Sequence, residues 1–393
     1  MTTTGRQLVA LDLPGGPEFV RQLQAAWERG QAVLPVDQRL AAPARHRLLD
    51  TMAPSIVIDS SGIHQRSGGV PVLEGDALIV ATSGTTGYPK GVVLTHTAIA
   101  ASAAATNARL AIDPDTDRWF ATLPLAHIGG LAVVTRALVS GTPVTVVPAF
   151  DPVATNEARR SGHTRTSLVV TALARVSAEG WQTILVGGSA MPAKLPSNCM
   201  RTYGMTETGS GVVYDGFPLQ SVGVTIAEDD EILLDGPMLL RAYRGLDGPG
   251  SADPDGFDPK DSSGRFATGD VGRFDSHGAL QVFGRTGDVI VTGGEKVWPD
   301  AVERALVGLP NVREYAVAGQ PDSTWGKRVT LFVVPSGPAP RLAEAREFVR
   351  NAFAAYAAPR ALVLLDALPR TESGKVNRTI LSTLTIPPIE HLL

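Results

Sequence analysis

The stretch Ala77-Leu78-Ile79-Val80-Ala81-Thr82-Ser83-Gly84-Thr85-Thr86-Gly87-Tyr88-Pro89-Lys90-Gly91 decides how the rest of the chain is interpreted. Its apolar beginning predicts a short buried strand, and its hydroxyl- and glycine-rich continuation predicts a loop. Glycines let backbone N–H groups approach an anion closely, the hydroxyls are donors, and the lysine adds a mobile positive charge. These residue types predict a loop that holds the phosphates of a nucleotide.

The loop is not a Walker A motif, which excludes the usual kinases and GTPases. That motif needs Lys followed by Ser or Thr after a G-x-x-x-x-G spacing. Here Lys90 is followed by Gly91, and the preceding glycines are Gly84 and Gly87. Taken alone, the stretch is also compatible with an ordinary surface turn.

Composition indicates a globular enzyme rather than a nucleic-acid-binding or membrane protein. The 393 residues suggest two or three domains, and 44% hydrophobic content supports a large core. A net charge of −4 argues against a nucleic-acid partner, and the single cysteine, Cys199, fits a reducing compartment. We expect no signal peptide and no membrane span, because neither an apolar leader nor a long apolar run is present. A cytoplasmic location is therefore predicted.

Strand and helix patterns alternate over the first half of the chain. This alternation predicts parallel sheets covered by helices, with ligands bound where strands end. The candidate motifs follow the predicted strand ends at Val80, Leu123, Val186 and Thr202. The predicted strands are 33–37, 55–59, 77–81, 119–123, 142–147, 167–170 and 183–186, and the predicted helices are 19–27, 42–52, 95–110 and a segment ending near 138.

The pattern changes after Glu231, where short strands and turns predominate. Residues 245–265 are predicted to be a loop, and a compact α+β unit follows with helices at 299–306 and 342–355. We therefore predict an N-terminal domain over 1–285, with a reduced N-terminal region and a short-strand subdomain, and a C-terminal domain over 286–393.

Further polar motifs follow predicted strands in a fixed order. They are Gly187-Gly188-Ser189-Ala190, Tyr203-Gly204-Met205-Thr206-Glu207-Thr208, Thr268-Gly269-Asp270, Gly284-Arg285 and Pro369-Arg370-Thr371-Glu372-Ser373-Gly374-Lys375. Together with the phosphate loop, they resemble the adenylate-forming superfamily, which includes acyl-CoA synthetases, peptide-synthetase adenylation domains and luciferase. The resemblance runs from Leu78 to Arg378. It implies an α/β fold with a large domain of mostly parallel sheets and a small mobile α+β domain.

The resemblance implies an ATP site built from these motifs. The residues expected to contact ATP are Thr82, Ser83, Gly84, Thr85, Thr86, Gly87 and Lys90 at the β- and γ-phosphates, Gly187, Gly188, Ser189, Tyr203, Gly204 and Met205 around adenine, and Asp270 with Arg285 at the ribose. Thr206 is expected at the α-phosphate and Glu207 at Mg²⁺, which prefers oxygen ligands. Lys375 is expected to reach the α-phosphate and the acyl carboxylate, because two reacting anions need cations between them.

The resemblance also implies a second half-reaction in which the thiol of coenzyme A attacks the acyl adenylate. The small domain rotates between the two steps in this superfamily, and Gly293 and Gly294 are expected to face the pantetheine tunnel. The hinge position is usually Asp, Lys or Ser, whereas here it corresponds to Gly287, followed by Asp288. Because glycine permits more backbone angles, the two domain states are expected to interconvert more easily.

Three stretches indicate which acid is activated. Arg201–Thr208 followed by Val212–Leu219, then Leu34–Leu40 and Arg165–Val169, resemble the actinobacterial type of 2-succinylbenzoate–CoA ligase of menaquinone synthesis. That substrate carries two carboxylates, an aromatic ring and a ketone, so one carboxylate reacts and the other needs a donor. The predicted pocket residues are His127, Thr166, Ser167, Gly209 and Ser210. His127 is expected either to gate the acyl pocket, with a catalytic part, or to be an ordinary histidine at a strand end.

Other functions stay open at this point. The chain fits a ligase for another carboxylic acid, or an enzyme that loads a carrier protein, which a basic docking surface on the small domain would favour. A catalytically inactive nucleotide-binding protein is the third hypothesis, and the presence of Lys375, Glu207 and Asp270 argues against it. A homodimer is possible.

Overall fold

The computed structural model describes residues 6–83, 88–188, 194–371 and 376–391. Contacts between residues group the chain into two compact units. Unit 1 comprises Met1–Ser189, Leu195–Thr225 and Leu233–Ala267, and unit 2 comprises Ala190–Lys194, Ile226–Ile232 and Thr268–Leu393. The domain boundary predicted after Arg285 stays a prediction.

The strands and helices that precede the unit boundary at 267/268 follow the predicted alternation. The strands are β1 (Leu8–Asp12), β2 (Ala32–Pro35), β3 (Ile56–Asp59), β4 (Gly62–Gln65), β5 (Asp76–Ser83), β6 (Pro89–Thr95), β7 (Trp119–Ala121), β8 (Val144–Val146), β9 (Arg165–Val169), β10 (Thr183–Gly187), β11 (Cys199–Met205), β12 (Ser210–Tyr214), β13 (Phe217–Pro218), β14 (Gly223–Ile226), β15 (Glu231–Asp235) and β16 (Ala242–Arg244). The helices are α1 (Pro17–Glu28), α2 (Ala42–Met52), α3 (His96–Leu110), α4 (Ile128–Ser140), α5 (Pro152–Arg160) and α6 (Val170–Leu173).

Unit 1 contains two sheets whose central strands are parallel. One has the strand order β16-β6-β5-β2-β1-β3-β4, and the other has the order β13-β12-β11-β10-β9-β7-β8. Antiparallel strands complete the edges of both sheets. Strand β6 pairs antiparallel with β5, and β12 pairs antiparallel with β11. The predicted fold class, mostly parallel sheets covered by helices, is confirmed.

Local chemistry explains where several helices begin. The hydroxyl of Thr95 accepts a hydrogen bond from the backbone N–H of Ala98, as predicted for the N-cap of α3. The carboxylate of Asp151 caps α5 in the same way, and Pro152 occupies its first turn, where a missing N–H costs nothing. Glycine at position 141, with φ of 70°, ends α4.

Unit 2 contains its own core. Its elements after 267 are β17 (Phe266–Phe274, through which the unit boundary passes), β18 (Leu280–Arg285), β19 (Ile290–Thr292), β20 (Glu295–Val297), β21 (Val312–Asp322), β22 (Gly326–Pro335), β23 (Ala361–Leu364), β24 (Glu390–His391), α7 (Pro299–Ala305), α8 (Leu342–Arg350) and α9 (Arg378–Thr383). One sheet has the order β20-β19-β22-β23-β24, with β21 also paired to β22. Its buried side chains, including Val317, Leu331 and Leu362, pack against α7 and α8.

The structure corrects three sequence predictions. The chain from Pro89 to Thr95 forms strand β6, whereas the sequence predicted residues 89–91 as part of the loop and no strand between the loop and Thr95, because Pro and Gly are poor strand residues. Strand β11 continues to Met205 rather than ending at Thr202. Helix α8 ends at Arg350 rather than at 355, since the alanines beyond it favour helix by propensity but offer little apolar surface to bury.

No helix within the described ranges is long and apolar enough to cross a membrane.

Candidate active site

The phosphate-loop motif joins two antiparallel strands rather than a strand and a helix. Thr82 lies opposite Lys90, and Ser83 lies opposite Pro89, at the end of the β5–β6 hairpin. Gly91 is required here because a Cβ atom would come within 2.6 Å of the side chains of Ile79 and Met52. The hairpin therefore fixes Lys90 at its end. Gly84, Thr85, Thr86 and Gly87 lie outside the described residues.

Lys90, Glu207 and Tyr243 form a charged group that we call the Lys90 cluster. The Nζ of Lys90 lies 3.3 Å from Oε1 of Glu207, and the hydroxyl of Tyr243 donates to the same oxygen at 2.8 Å. The ammonium group also lies 3.8 Å from the centre of the Tyr243 ring, in a cation–π contact. The side chains of Lys90 and Glu207 are 27% and 11% exposed, so the pair is partly open to solvent.

Tyr243 was not predicted from the sequence. It lies on β16, which pairs with β6 so that Tyr243 is opposite Val92. The triplet Ala242-Tyr243-Arg244 is short and precedes a glycine-rich segment, so its pattern gave little strand signal. The available signal was a tyrosine between two arginines, Arg241 and Arg244, just before a glycine-rich segment.

Glu207 and Thr206 lie on a single 3-10 turn, Thr206–Thr208, directly after β11. The hydroxyl of Thr208 accepts from the backbone N–H of Met205, and the backbone N–H of Leu240 donates to the carbonyl of Glu207 at 2.7 Å. Gly209 then adopts a positive φ of 66°, which ends the turn. These bonds hold the carboxylate of Glu207 toward Lys90.

The residues expected around adenine lie on neighbouring strand ends. Gly187 ends β10, where a Cβ would meet the Thr202 hydroxyl at 2.6 Å, and Gly188 has a φ of 89°. Tyr203 is half-buried on β11, where the strand pairing shifts between it and Gly204. A Cβ at Gly204 would approach the carbonyl oxygen of Ser210 to 2.2 Å, so glycine is required for the close strand contact. Ser189 lies outside the described residues.

His127 contacts a charged pair from the loop after β2. Its Nε2 lies 2.6 Å from Nη2 of Arg39 and 3.3 Å from Oδ2 of Asp37, and the two guanidinium bonds from Arg39 to Asp37 measure 2.9 and 2.7 Å. Burial raises the pKa of Asp37, but hydrogen bonds from His127 and Arg39 outweigh it and hold that pKa below its usual range. His127 is 39% exposed and precedes α4. Its predicted role at the acyl pocket stays a prediction.

The other predicted pocket residues have defined partners. The hydroxyl of Thr166 is fully buried and donates to the carbonyl of Phe120, while Ser167 is buried on the same strand. Ser210 is buried, pairs with Met205 across the β11–β12 ladder, and accepts from Nη2 of Arg136 at 2.7 Å. Arg136 was not predicted as a pocket residue, because it lies within an apolar helical run.

Unit 2 brings Asp270 and Arg285 together. They are opposite residues of β17 and β18, and their Oδ1 and Nε atoms lie 2.8 Å apart. The hydroxyl of Thr268 accepts from the backbone N–H of Asp270, and Nη1 of Arg285 donates to the carbonyl of Thr268. The strand pairing therefore positions the carboxylate and the guanidinium that were predicted at the ribose.

The predicted coenzyme A and hinge residues also lie in unit 2. Gly293 and Gly294 form the turn between β19 and β20 with φ of 58° and 87°, and a Cβ at Gly293 would meet the Trp325 ring at 2.7 Å. Gly287 lies on a 3-10 turn without a positive φ, and nothing lies within 4 Å of a Cβ placed there. Lys375 lies outside the described residues.

The donor set fits Mg²⁺ better than a metal held by the protein alone. No group of three or more His, Cys, Asp or Glu side chains suited to a metal occurs among the described residues. Mg²⁺ usually binds one or two carboxylates and completes its shell with phosphate oxygens and water. Both contacts of the Glu207 carboxylate within the described part of the chain use Oε1, so Oε2 is the oxygen suited to the cation.

Comparison with protein-family models identifies the fold and its chemistry. Residues 70–238 match the model described as "AMP-binding enzyme", and residues 301–375 match "AMP-binding enzyme C-terminal domain". A relative from Mycobacterium tuberculosis strain H37Rv, named "Probable 2-succinylbenzoate--CoA ligase", is 36% identical over 371 residues, which cover 87% of this chain and 94% of the relative.

The chain belongs to the AMP-binding enzyme family. A 2-succinylbenzoate–CoA ligase from Bacillus licheniformis is 34% identical over 344 residues, covering 78% of this chain and 70% of the relative. The structure of o-succinylbenzoate CoA synthetase (MenE) from Bacillus subtilis in complex with the acyl-adenylate intermediate OSB-AMP matches with a TM-score of 0.83. It is 26% identical, over 98% of this chain and 90% of that one. The predicted superfamily, its enzymatic class and the resemblance to 2-succinylbenzoate–CoA ligases are confirmed.

The comparisons also bear on the predicted cofactors of the family. The Bacillus subtilis enzyme has been solved with ATP and magnesium ion, at a TM-score of 0.82 and 26% identity to this chain. The prediction that AMP-binding enzymes of this type take ATP and Mg²⁺ is therefore confirmed for that relative.

Proposed function

We propose that this chain is an AMP-forming acid–CoA ligase whose acid is 2-succinylbenzoate. The observation that carries the proposal is the 36% identity to a relative of that name over 94% of the relative's length. The Lys90 cluster supports the chemistry, because it places a cation and a carboxylate at the end of the phosphate-loop hairpin. ATP, Mg²⁺ and coenzyme A are the expected ligands.

In the first half-reaction, a carboxylate oxygen of the acid bonds to the α-phosphorus of ATP, and the bond from that phosphorus to pyrophosphate breaks. Lys90 neutralises negative charge on the leaving phosphates, while Thr206 donates to the α-phosphate. Glu207 would hold Mg²⁺, which would supply electrostatic stabilisation of the phosphates when bound. Lys375 bridges the α-phosphate and the acyl carboxylate.

In the second half-reaction, the sulfur of coenzyme A attacks the acyl carbon, the bond to AMP breaks, and the thiol proton is released. Rotation of the C-terminal domain about Gly287 brings the turn at Gly293 and Gly294 to the pantetheine arm. The open space around a Cβ at Gly287 leaves room for the Asp, Lys or Ser expected at this position in the superfamily, because in this conformation the backbone does not demand glycine.

An enzyme that loads a carrier protein is the main alternative, along with a ligase for another acid. A uniformly basic docking face on α8 would favour the carrier protein. Arginines at 346 and 350 alternate there with glutamates at 344 and 347, so this helix does not provide one. A cytoplasmic location and a homodimer are kept as parts of the proposal.

Pyrophosphate exchange across a panel of acids, followed by identification of the thioester product, tests the proposal. We expect exchange with 2-succinylbenzoate to exceed that with benzoate or with long-chain fatty acids by at least tenfold, and we expect a CoA thioester of the diacid as product. Lys375→Ala should lose about 10²–10³ in the adenylation rate. A preference for fatty acids with 2-succinylbenzoate inert would overturn the substrate, and unchanged pyrophosphate release by Lys375→Ala would overturn the role of that lysine.

A further inference from the structure

Tyr88, the last residue before β6, places its ring against a turn that is distant in the sequence. A Cβ atom built on Gly248 would lie 2.9 Å from Cδ2, 2.9 Å from Cγ and 3.1 Å from Cδ1 of that ring. Because these three distances are nearly equal, Gly248 faces the flat side of the ring. Gly248 is buried, although the residues on both sides of it, Asp247 and Pro249, are exposed. The ring of Tyr88 therefore occupies the space in front of this glycine.

Residues 245–251, which we call the 245–251 turn, are held by contacts of their own. Ser251 donates to the carbonyl of Gly248 through its backbone N–H, at 3.1 Å, and through its hydroxyl, at 2.6 Å. Gly245 adopts a φ of 72° and lies against the end of α2, where a Cβ would meet the Thr51 side chain at 2.9 Å. The turn can therefore act as a firm support for the Tyr88 ring.

Both flanks of the 245–251 turn are attached to other parts of unit 1. On the first flank, the side chain of Arg244 is 1% exposed and donates to three backbone carbonyls, those of residues 52, 70 and 71. On both flanks, the backbones of Tyr243 and Phe257 exchange two hydrogen bonds, of 2.7 and 2.9 Å. These contacts lie outside the phosphate-loop motif, so the support does not depend on that motif for its shape.

Tyr88 lies where the phosphate-loop motif joins the sheet. Pro89 pairs with Ser83, and Lys90 pairs with Thr82, so the hairpin begins directly after the tyrosine. Under the proposed function, Lys90 neutralises the leaving phosphates, and it is two residues beyond Tyr88. A contact that fixes Tyr88 therefore also fixes the chain that leads into Lys90.

Glycine is required at position 248 for two separate reasons. Its φ of 90° lies in the region that L-residues rarely adopt, and the Tyr88 ring leaves no room for a Cβ. Gly250, in the same turn, has a similar φ of 85°, but nothing lies within 4 Å of a Cβ placed there. The two glycines therefore share a backbone conformation and differ in the contact with Tyr88.

We infer that Tyr88 and Gly248 are positioning residues for binding of the β- and γ-phosphates of ATP. The inference rests on the proposed function, in which the phosphate-loop hairpin binds ATP. The ring, seated on the 245–251 turn, holds the chain next to Lys90 in place before the nucleotide binds, so less ordering remains to be done on binding. AMP lacks the β- and γ-phosphates, so its affinity should not depend on this contact.

Binding of Mg²⁺–ATP and of AMP to the full chain, measured by titration calorimetry without acid or coenzyme A, tests the inference. Gly248→Ala places a methyl group where the ring lies, and Tyr88→Ala removes the ring. Each variant should bind ATP about tenfold more weakly, as expected for the loss of one preorganising contact, and should bind AMP as the wild type does. Tyr88→Phe keeps the ring and should restore wild-type affinity for ATP.

Gly250→Ala is the matched control for backbone strain. Alanine is strained at a positive φ, so Gly248→Ala and Gly250→Ala should both lower the urea midpoint. Only Gly248→Ala should weaken ATP binding, because only its methyl group meets the ring. In the double variant Gly248→Ala/Tyr88→Ala the ring is absent, so its ATP affinity should equal that of Tyr88→Ala alone.

The outcomes separate this inference from the proposed function. Wild-type protein that does not bind ATP overturns the proposed function and the inference with it. Wild-type protein that binds ATP, with the same affinity in Tyr88→Ala, overturns the positioning role alone. Equal losses for ATP and AMP, or an ATP loss in Gly250→Ala as large as in Gly248→Ala, would make the contact purely structural. Losses that add in the double variant would show that the methyl group and the ring act independently.

Discussion

Two carboxylates paired with cations, Glu207 in unit 1 and Glu303 in unit 2, differ in what surrounds them. The carboxylate of Glu207 contacts the ammonium of Lys90 and accepts a hydrogen bond from the hydroxyl of Tyr243 at the end of a hairpin. The Lys90 side chain is 27% exposed. Glu303 accepts from the guanidinium of Arg378 at 2.8 Å and from the backbone N–H of Val317 at 2.8 Å. The Lys90–Glu207 pair can exchange partners with a ligand. The Arg378–Glu303 pair is bound in addition by a backbone N–H and by further carboxylates.

The charge balance also differs between the two groups. Arg378 forms ion pairs with Asp288, Asp300 and Glu303, a group that we call the Arg378 cluster. Burial raises the pKa of Glu303 to about 7, and Asp300 adds to this, although Arg378 opposes it. Burial is the larger cause of the raised pKa, and the negative charge of Asp300 acts in the same direction. Under the proposed function, the Lys90 cluster contacts the ligands, whereas the Arg378 cluster is expected to stabilise unit 2.

The largest expected effect is on stability, at the Arg378 cluster. Arg378→Ala leaves the largely buried Glu303 and the partly exposed Asp288 and Asp300 without their cation, so the unfolding free energy of unit 2 should fall by about 3 kcal/mol, the lower end of the range for a buried pair. Urea denaturation of the full chain measures it. The control is Arg370→Ala, which breaks an exposed ion pair to Glu314 and should cost at most about 1 kcal/mol. Equal midpoints for the two variants would contradict the assignment of a structural role.

The next effect is on catalysis, at the Lys90 cluster. Lys90→Met should slow pyrophosphate formation about 10²–10³-fold, because a preorganised cation is lost from the leaving phosphates. Its urea midpoint should change less than that of Arg378→Ala, since Glu207 keeps the hydrogen bond from the Tyr243 hydroxyl and loses only one cation, whose side chain is 27% exposed. The exposed Lys327 provides the control Lys327→Met, for which normal rates are expected. A large stability loss in Lys90→Met with normal kinetics would reverse the comparison.

The pH dependence of stability sharpens the contrast further. The folded pKa of Glu303, about 7, lies above its ordinary value of 4.5, so the folded chain binds this proton more tightly. The contribution of Glu303 therefore favours folding most below pH 4.5 and is lost as the pH rises toward 7. Urea midpoints measured at several pH values should fall less steeply across this window in Glu303→Gln than in wild type. Parallel curves for the two proteins would exclude the raised pKa.

The smallest expected effect is at Tyr243. Tyr243→Phe keeps the ring beneath the Lys90 ammonium but removes the hydrogen bond to Glu207, worth about 1 kcal/mol. The adenylation rate should fall about fivefold, with little change in the urea midpoint. Tyr315→Phe is the control in unit 2, since its hydroxyl donates to the carbonyl of Glu303 outside the Lys90 cluster. A rate equal to wild type for Tyr243→Phe would place the phenol outside the catalytic arrangement.

The sequence predicted those helices, strands and caps that depend on residues close together in the chain. The cap at Thr95, helix α2 and the strand at 183–186 were predicted closely, because side-chain periodicity and capping chemistry are local. The β6 strand was missed, since its pairing with β5 and β16 depends on partners distant in sequence.

The residues of the candidate site divide in the same way, into those that a local motif predicts and those that depend on distant contacts. Motif chemistry identified Lys90 and Glu207, and the fold places them 3.3 Å apart although they are 117 positions apart in the chain. Tyr243 and Arg136 were missed, because a tyrosine in a three-residue strand and an arginine in an apolar helix resemble ordinary packing residues. Their significance lies in what they contact, and contacts between distant segments are not visible in a single sequence.

The Lys90 cluster also bears on inhibitor design. The ammonium of Lys90 lies 3.3 Å from the carboxylate of Glu207, so a compound with one negative group must compete with that carboxylate for the lysine. A compound that supplies an anion for Lys90 and a cation or metal for Glu207 at the same time replaces both partners at once. Zwitterionic or metal-chelating scaffolds should therefore compete better at this hairpin than simple anions of equal size.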